Sequence, residues 1–367
     1  MVNNLENNFD VLIVGGGIIG MLTARSLQSE GLSAAIVDKG KLGGAATWAA
    51  GGILSPLNPW QKNSATQSLI NEGRQNFPAL IHELKQETAI DSELLQSGML
   101  VLDIDEKQQA LNWAKHNNET LEVLTAQSLL EHEANISTKF DEALYLPNIT
   151  QVRPPKLISA LKHSLLQRKV KICENTFVEN FLIEENTVKG LATRNEKLYA
   201  EKIIICSGAW TKSLIQAGAS IDSEIDIEPV RGQMLLYKLP EKILSHIILK
   251  EKSYLIPRQD GHILCGSTVE HVGFENDVTQ EARQSLQTIA HELMPTLEKL
   301  EPIKQWSALR PGTQRDTPYI CKHPMIEGLY LNSGHYRYGI IMSIASARIM
   351  TKLVSDSLNP SQITAFA

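Results

Sequence analysis

The sequence predicts a mixed α/β (α+β) protein in which one nucleotide-binding domain is interrupted by a second, antiparallel one. A strand, a glycine turn, a helix and a second strand follow one another from Phe9 to Asp38. Short strands separated by turns fill the stretch from Ile225 to Thr268. A strand and an apolar helix close the chain from Leu329 to Val354. Because this last pair completes the first pattern, we expect the first domain to be discontinuous.

The glycine turn has the spacing of a dinucleotide-binding site. The apolar run Val11–Val14 predicts a strand buried on both faces, and Gly15, Gly17 and Gly20 follow it as G-x-G-x-x-G. We expect Gly15 to allow the tight turn and Gly17 to let backbone N–H groups approach a pyrophosphate. Gly20 would let the helix pack close to the strand. The motif indicates a Rossmann-type domain, and an ordinary glycine turn is the alternative.

The residues after the second strand extend this site. Asp38 ends that strand, where a carboxylate can bind a ribose hydroxyl pair and disfavours a 2′-phosphate. The segment Gly40–Leu54 is rich in glycine and alanine, which suits a backbone that approaches a large flat ligand closely. Tight packing without a ligand is the alternative for this segment.

The remaining elements are predicted in order from periodicity and turn residues. Apolar residues spaced near 3.6 predict helices at Ser64–Lys85, Glu106–Asn117, Ala126–His132, Pro154–Gln167, Thr279–Leu293 and Ile340–Val354. Apolar runs bounded by turns predict strands at Gly98–Asp103, Val170–Cys173, Lys202–Cys206, Glu228–Tyr237, Ile247–Leu249, Ser253–Pro257, His262–Gly266, Ile303–Leu309 and Leu329–Ser333. A three-stranded meander is predicted from Phe177 to Tyr199. Gly208, just after a buried strand, is a second candidate for close approach to a nucleotide, or a plain strand–helix turn.

The composition narrows the function classes. The chain has 367 residues and a net charge of −6 without a basic block, so a nucleic-acid partner is not expected. Its four cysteines are far apart and form no metal-ligand pattern, which predicts buried thiols in a reducing compartment. The polar N-terminus does not resemble a signal peptide, and no stretch suits a bilayer. We therefore expect a cytoplasmic protein without membrane contact.

Six motifs carry a resemblance that runs nearly end to end. They are FDVLIVGGGIIG, AATWAAGGIL, CSGAW, SYLIPR, WSALRPGT and GHYRYGI. With these motifs the chain resembles the D-amino-acid-oxidase superfamily of FAD-dependent oxidoreductases, and it is most similar to the glycine oxidase branch of the thiamine pathway. The resemblance implies a discontinuous FAD-binding domain of residues 1–85, 150–215 and 305–367. The substrate-binding domain would comprise residues 86–149 and 216–304.

The same resemblance implies the site residues. The FAD-binding set would be Gly15, Gly17, Ile18, Ile19, Gly20, Asp38, Lys39, Ala46, Thr47, Gly51, Gly52, Ile53, Val178, Gly208, His335, Tyr336, Arg337, Tyr338, Gly339, Ile340 and Ile341. Arg310 matches an arginine that binds the substrate carboxylate, for which its planar fork is suited. Arg337 and Tyr254 match residues beside the substrate. The alternatives are a strand-end ion pair for Arg310, a purely structural role for Arg337 and a buried core position for Tyr254.

Two departures from the family pattern affect the expected flavin contacts. Ala46 and Trp48 stand where small hydroxyl residues are usual, and the bulky Trp48 is expected to reshape contacts with the flavin. Tyr338 replaces an asparagine. A related branch tethers its flavin through a cysteine, and Arg310 is at the aligned position here, so we expect noncovalent FAD.

The implied activity is oxidation of glycine, sarcosine or another small amino acid, with O₂ as acceptor and no side-chain base. The resemblance also implies a homotetramer. Three other functions remain open at this stage: a dehydrogenase with a quinone or other non-oxygen acceptor, an RNA-modifying enzyme, and a non-catalytic FAD-binding module.

Overall fold

The computed structural model describes residues 7–219 and 225–367, and within them it contains nineteen strands and nine α-helices. The strands are β1 (Val11–Val14), β2 (Ala34–Val37), β3 (Leu95–Gln96), β4 (Met99–Leu102), β5 (Glu122–Thr125), β6 (Glu142–Leu146), β7 (Thr150–Gln151), β8 (Lys171–Cys173), β9 (Val178–Glu184), β10 (Thr187–Thr193), β11 (Lys197–Tyr199), β12 (Ile203–Ile205), β13 (Glu228–Lys238), β14 (Ile247–Lys250), β15 (Ser253–Pro257), β16 (His262–Gly266), β17 (Lys304–Gly312), β18 (Tyr319–Lys322) and β19 (Leu329–Ser333). The helices are α1 (Ile18–Ser29), α2 (Ala46–Ala49), α3 (Ser64–Thr88), α4 (Lys107–Asn117), α5 (Ala126–His132), α6 (Pro154–Gln167), α7 (Thr211–Ala219), α8 (Gln280–Leu293) and α9 (Gly339–Val354). The predicted mixed α/β class is confirmed.

The first sheet has six strands in the order β18-β19-β12-β1-β2-β8. All neighbouring pairs are parallel except β18 with β19. Val14, the last residue of β1, lies opposite Val37 on one side and Ile205 on the other. The carboxyl ends of β1, β2 and β12 therefore meet at one edge, where open α/β sheets bind their ligands.

Alternate residues of β1 enter different cores, as the period of a strand requires. Val11 and Ile13 belong to a core shared with α1, α3, α6 and α9. Leu12 and Val14 belong to a core shared with the antiparallel meander β9, β10 and β11 and with α7. The sheet is thus covered on both faces, which explains why its strands read as continuous apolar runs.

The second sheet has eight strands in the order β17-β13-β16-β15-β14-β4-β6-β5. Its pairs are antiparallel apart from β14 with β4, so the sheet expected to be antiparallel contains one parallel pair. Strand β17 pairs along its whole length with β13. The predicted division assigned residues from 305 onward to the cofactor domain. The two-domain division stays a proposal, and in it we now place β17 with the substrate-binding part.

The element boundaries agree with the sequence patterns to within a few residues. Helix α3 continues to Thr88, three residues beyond the predicted end, and contains Pro78. Gly31 has a φ of 82° just after the C-cap of α1. Cys206, Cys265 and Cys321 are buried and Cys173 is half-buried, all as free thiols. Within the described ranges, no helix combines the length and the apolar character needed to cross a bilayer.

Candidate cofactor and substrate site

One cavity of about 780 Å³ is lined by residues from both large sheets. Its lining includes the carboxyl ends of β1 and β2, the segment that follows β12, and side chains of β13, β15 and β17. The volume falls in the range of about 300–1,000 Å³ that is typical of ligand and cofactor sites. The predicted site residues that line it are Gly15, Gly17, Ile18, Ile19, Asp38, Lys39, Ala46, Thr47, Gly51, Gly52, Ile53, Val178, Gly208, Tyr254, Arg310, His335, Tyr336, Arg337, Tyr338, Gly339, Ile340 and Ile341.

Gly20 is the predicted site residue that does not line the cavity. A Cβ atom at Gly20 would lie 2.0 Å from the carbonyl oxygen of Gly15, so a side chain there would force α1 away from β1. Gly20 therefore serves the close packing of helix and strand, which was its expected physical role, and its place in the FAD-binding set stays a prediction.

The turn after β1 is held tightly against the neighbouring strand. Gly15 has a φ of 111°, and a Cβ atom there would lie 2.4 Å from the carbonyl oxygen of Cys206. Helix α1 starts at Ile18, whose backbone N–H donates to Thr47 Oγ1 at 3.1 Å. The first turn of the helix carries no acidic residue. Its partial positive charge and remaining N–H groups therefore form an anion site at the cavity wall.

Asp38 lies at the end of β2 with its carboxylate fixed in place. Its Oδ2 accepts the N–H of Gly16 at 2.6 Å, and its Oδ1 accepts the N–H of Gly40 at 2.7 Å. Because an ionised carboxylate offers about four lone-pair directions, both oxygens can still accept hydroxyl groups. The adjacent Lys39 places its Nζ 3.5 Å from the centre of the Trp210 ring, and burial lowers the pKa of this ammonium group.

The small-residue segment after β2 is anchored from the second sheet. Gly52 has a φ of 80°, and a Cβ atom there would lie 2.1 Å from the carbonyl oxygen of Val152. Arg258 is 4% exposed and donates from Nη2 to the carbonyl oxygen of Gly51 at 2.7 Å and from Nη1 to that of Val152 at 2.9 Å. Burial lowers the pKa of this guanidinium to about 10. The backbone at Gly51 and Gly52 thus lies rigidly at the cavity surface.

The C-terminal segment completes the wall. His335 is buried, its Nε2 is 2.8 Å from Ser346 Oγ, and burial lowers its pKa to about 3, so the ring is neutral at pH 7. Its Nδ1 has no hydrogen-bond partner within the described residues, as expected of a polar atom left for a bound group. Helix α9 begins at Gly339 without an acidic residue in its first turn. Tyr338 lies just before it, and burial raises the pKa of its hydroxyl.

Two guanidinium groups converge at one end of the cavity. Arg310 donates from Nη1 to the carbonyl oxygen of Thr268 at 3.1 Å and from Nη2 to Ser267 Oγ at 2.8 Å. Arg337 donates from Nη2 to the carbonyl oxygen of Lys252 at 3.2 Å and lies 3.5 Å from the same Ser267 oxygen. These acceptors are all neutral. Since each guanidinium has five N–H donors, both arginines retain donors for an anion.

Arg310 lies flat against the backbone of the neighbouring strand. In β13, Gly232 faces Arg310, and a Cβ atom at Gly232 would lie 2.1 Å from both Nη1 and Nη2. Tyr254 is 8% exposed on β15 and lines the same cavity. Burial lowers the pKa of Arg310, and the nearby Tyr254 offsets only part of this shift. Arg310, Arg337 and Tyr254, which were predicted together from motifs far apart in sequence, are thus brought together.

Trp48 is not among the residues that line the cavity. Its ring packs edge-on against Trp306 at 5.7 Å, Lys304 lies 4.6 Å above it, and it is not part of the cavity lining. Any influence of Trp48 on the flavin stays a prediction, and it would act through neighbouring residues rather than by lining the cavity. Because the short helix α2 presents Thr47 to the cavity, the next residue points to another side.

Several residues of the site were not among the predicted site residues. Gly232, Met234 and Trp210 line the cavity, and Ser267 and Arg258 hold its walls. The first two lie in a strand whose partners are unknown before folding. Trp210 and Arg258 end the motifs CSGAW and SYLIPR, but neither was predicted as a site residue.

The lining fits a flavin dinucleotide. Gly208 lines the cavity, and a Cβ atom there would have no neighbour within 4 Å. The space beside this glycine is therefore open to a ligand. The N-terminus of α1 suits a pyrophosphate, the carboxylate of Asp38 suits ribose hydroxyls, and the unpartnered Nδ1 of His335 offers a hydrogen-bonding atom. The cavity lining is mainly apolar, which suits a ring system.

Comparisons with known proteins agree with this geometry. Residues 10–353 match the model of a family described as DAO, FAD dependent oxidoreductase. The chain is 38% identical to the glycine oxidase of Pseudomonas aeruginosa, over 94% of each chain. It is 26% identical to the bifunctional protein ThiO/ThiG of Synechocystis sp., over 99% of this chain and 54% of that protein. The crystal structure of glycine oxidase from Geobacillus kaustophilus superposes with a TM-score of 0.91 at 28% identity, over 98% of each chain.

The resemblance predicted from the six motifs is confirmed by these matches. The chain therefore belongs to the DAO family of FAD-dependent oxidoreductases, and FAD is its cofactor.

Proposed function

We propose that this protein oxidatively deaminates a small amine or amino acid, such as glycine, sarcosine or a small D-amino acid. The products would be the oxo acid, ammonia or methylamine, and H₂O₂ from reoxidation by O₂. The observation that supports it most is the convergence of Arg310 and Arg337 at one end of a cavity suited to a flavin. The similarity to two proteins named glycine oxidase supports the choice of a small substrate.

The substrate carboxylate is the natural partner of the two guanidinium groups. The planar fork of Arg310 can donate to both carboxylate oxygens, and such charge-assisted hydrogen bonds contribute roughly 1.5–3 kcal/mol each. Arg337 and the hydroxyl of Tyr254 would complete the contacts. Because Gly232 and Ser267 hold Arg310 in place, little conformational freedom is lost when the substrate binds.

The role of these residues is to orient the substrate. Bound FAD supplies a two-electron acceptor for the hydride of the substrate α-carbon. Holding the carboxylate at Arg310 directs the amine and α-carbon toward the ring-binding part of the cavity, and such orientation can lower a barrier by several kcal/mol. The neutral amine provides the electron pair itself, so no side-chain base is required. The start of α9 favours negative charge near Gly339 by roughly 0.3–1 kcal/mol or more when buried.

The wider role follows from the resemblance to the thiamine-pathway enzyme. We include in the proposal that the imine product supplies thiamine thiazole synthesis, which the match to a protein named ThiO/ThiG supports. Noncovalent FAD, a homotetramer and a cytoplasmic location belong to the same proposal.

The test is an H₂O₂-coupled screen of the purified holoenzyme against glycine, sarcosine and D-amino acids. Arg310→Ala should abolish turnover while the protein remains yellow, because the arginine contacts substrate and lies apart from the dinucleotide end of the cavity. Arg310→Lys is the matched control, since it keeps the charge and loses the planar fork. Full activity of Arg310→Ala, or loss of its flavin, would refute the assignment. Reduced enzyme that is not reoxidised in air would show a dehydrogenase instead.

A further inference from the structure

A serine outside the cavity lining holds both guanidinium groups. Ser267 is 5% exposed, and its Oγ accepts from Arg310 Nη2 at 2.8 Å and lies 3.5 Å from Arg337 Nη2. A hydroxyl oxygen has two lone pairs, so it can accept from both arginines at once. We propose that Ser267 is a positioning residue that holds Arg310 and Arg337 side by side to receive one carboxylate. This inference rests on the proposed function.

The two arginines need such a residue because their charges repel. Burial lowers the pKa of Arg310, and the nearby charge of Arg337 lowers it further. Each guanidinium has one backbone acceptor of its own, the carbonyl oxygen of Thr268 for Arg310 and that of Lys252 for Arg337. A guanidinium held by one acceptor alone can still rotate about that hydrogen bond. The serine oxygen is the contact that the two share, and it fixes their relative orientation.

The serine is itself held firmly by the segment that follows β16. Glu270 exchanges two backbone hydrogen bonds with Arg231 of β13, at 2.9 and 3.0 Å, and the two side chains form an ion pair at 2.6 Å. Thr268 Oγ1 accepts the backbone N–H of Gln233 at 2.8 Å. Thr268 and Glu270, which follow Ser267 in the chain, are thus both bonded to β13. Because β17 pairs with the same strand, the Ser267 hydroxyl has a defined position relative to Arg310.

Loss of the hydroxyl should therefore affect carboxylate binding and leave cofactor binding unchanged. Acetate is a suitable probe, because it carries the carboxylate without an oxidisable amine. Binding of acetate to the holoenzyme is followed through the visible absorbance of the flavin. We expect Ser267→Ala to weaken acetate binding about tenfold, the effect of one hydrogen bond to a charged group. Ser267→Thr, which keeps the hydroxyl, should remain within about threefold of wild type.

Ser92→Ala is the matched control. Ser92 is fully buried, lies outside the cavity lining, and its hydroxyl has no hydrogen-bond partner among the residues described. This variant should bind acetate as wild type does. The affinity of each apoprotein for FAD is measured in parallel and should not change. With glycine as substrate, Ser267→Ala should raise KM more than it lowers kcat.

The outcomes separate this inference from the proposed function. If Arg310→Ala weakens acetate binding and Ser267→Ala does not, the role of Ser267 is refuted and the carboxylate site stands. If Ser267→Ala loses affinity for FAD and acetate in equal proportion, the serine is merely structural and the inference is again refuted. If wild-type holoenzyme does not bind acetate, or Arg310→Ala makes no difference, the carboxylate site and the role of Ser267 fail together.

Discussion

Replacing Gly232 by alanine should displace the guanidinium of Arg310, the proposed substrate-binding arginine, while leaving the fold intact. The new Cβ atom would lie 2.1–2.2 Å from the guanidinium atoms of Arg310. To regain an ordinary contact of about 3.5 Å, the guanidinium must move by roughly 1.3 Å. The clash is with the end of a flexible side chain, so Arg310 yields and the strand does not. A misplacement of about 1 Å can cost on the order of 10²-fold in rate.

The direction of the stability change should be opposite to that of the activity. Gly232 lies inside β13, where alanine restricts the unfolded chain and typically stabilises a protein by about 0.4–1 kcal/mol. We therefore expect Gly232→Ala to have a free energy of unfolding at or above the wild-type value, a normal flavin content, and a kcat/KM for its amino-acid substrate roughly 100-fold lower. The assays are denaturant unfolding, absorbance of the bound flavin, and H₂O₂ release.

The double variant with Arg310→Ala provides the control. Once the guanidinium is absent, the new methyl group of Ala at position 232 has room, so the substitution should stabilise more in that background than in wild type. If Gly232→Ala retains wild-type kcat/KM, the reasoning is refuted, because Arg310 would then not depend on contact with a bare backbone. Loss of the flavin in this variant would refute it equally.

Three further predictions concern stability and cofactor binding. Burial would raise the pKa of Glu87, but hydrogen bonds from two arginines and a serine outweigh it and lower the pKa from 4.5 to about 2. Glu87 therefore contributes up to about 3 kcal/mol to the free energy of unfolding above pH 4.5, and this contribution is lost as the pH falls toward 2. In urea titrations, the stability of Glu87→Gln should accordingly decrease less between pH 4.5 and 2 than that of wild type. Trp48→Ala should lose at least the ~0.5–1.5 kcal/mol of its ring pair with Trp306, without a change in FAD affinity by fluorescence titration. Thr47→Val removes the acceptor of the Ile18 N–H at the start of α1, so it should cost about 1 kcal/mol and weaken FAD binding.

Each of these expectations has a contrary result. A Glu87→Gln variant whose stability falls with acid as steeply as wild type would show that other carboxylates dominate. A shifted flavin spectrum in Trp48→Ala would show that the ring reaches the cofactor after all. Unchanged FAD affinity in Thr47→Val, a near-isosteric change, would mean that the start of α1 needs no support from this hydroxyl.

The sequence could predict the elements whose signal is local. The strand, turn and helix from Val11 to Gly20 are specified by neighbouring residues, and so is the carboxylate that ends β2. The positions of Arg310 and Arg337 in the cavity were predicted only because their motifs resemble a known family. From periodicity alone, neither arginine differs from a surface residue near the end of a strand or in a turn.

The remainder depends on which strands become neighbours. Gly232 matters because β13 pairs with β17, which brings the Arg310 guanidinium beside this glycine. Nothing within the sequence of β13 indicates that pairing. Ser267 matters because it meets two arginines, 43 and 70 residues further along the chain. Trp48 shows the opposite case. Its local sequence lies in a ligand-binding segment, but its side chain finds Trp306 in the other sheet.

The strand order of the six-stranded sheet has a consequence for biosynthesis. Strand β19 occupies the place beside β12, and the cavity wall around His335 and Gly339 follows directly from it. A chain emerging from the ribosome thus presents the glycine turn after β1 early, yet cannot enclose a flavin until β19 and α9 have been made. Enclosure of the cofactor therefore has to follow the pairing of β19 with β12.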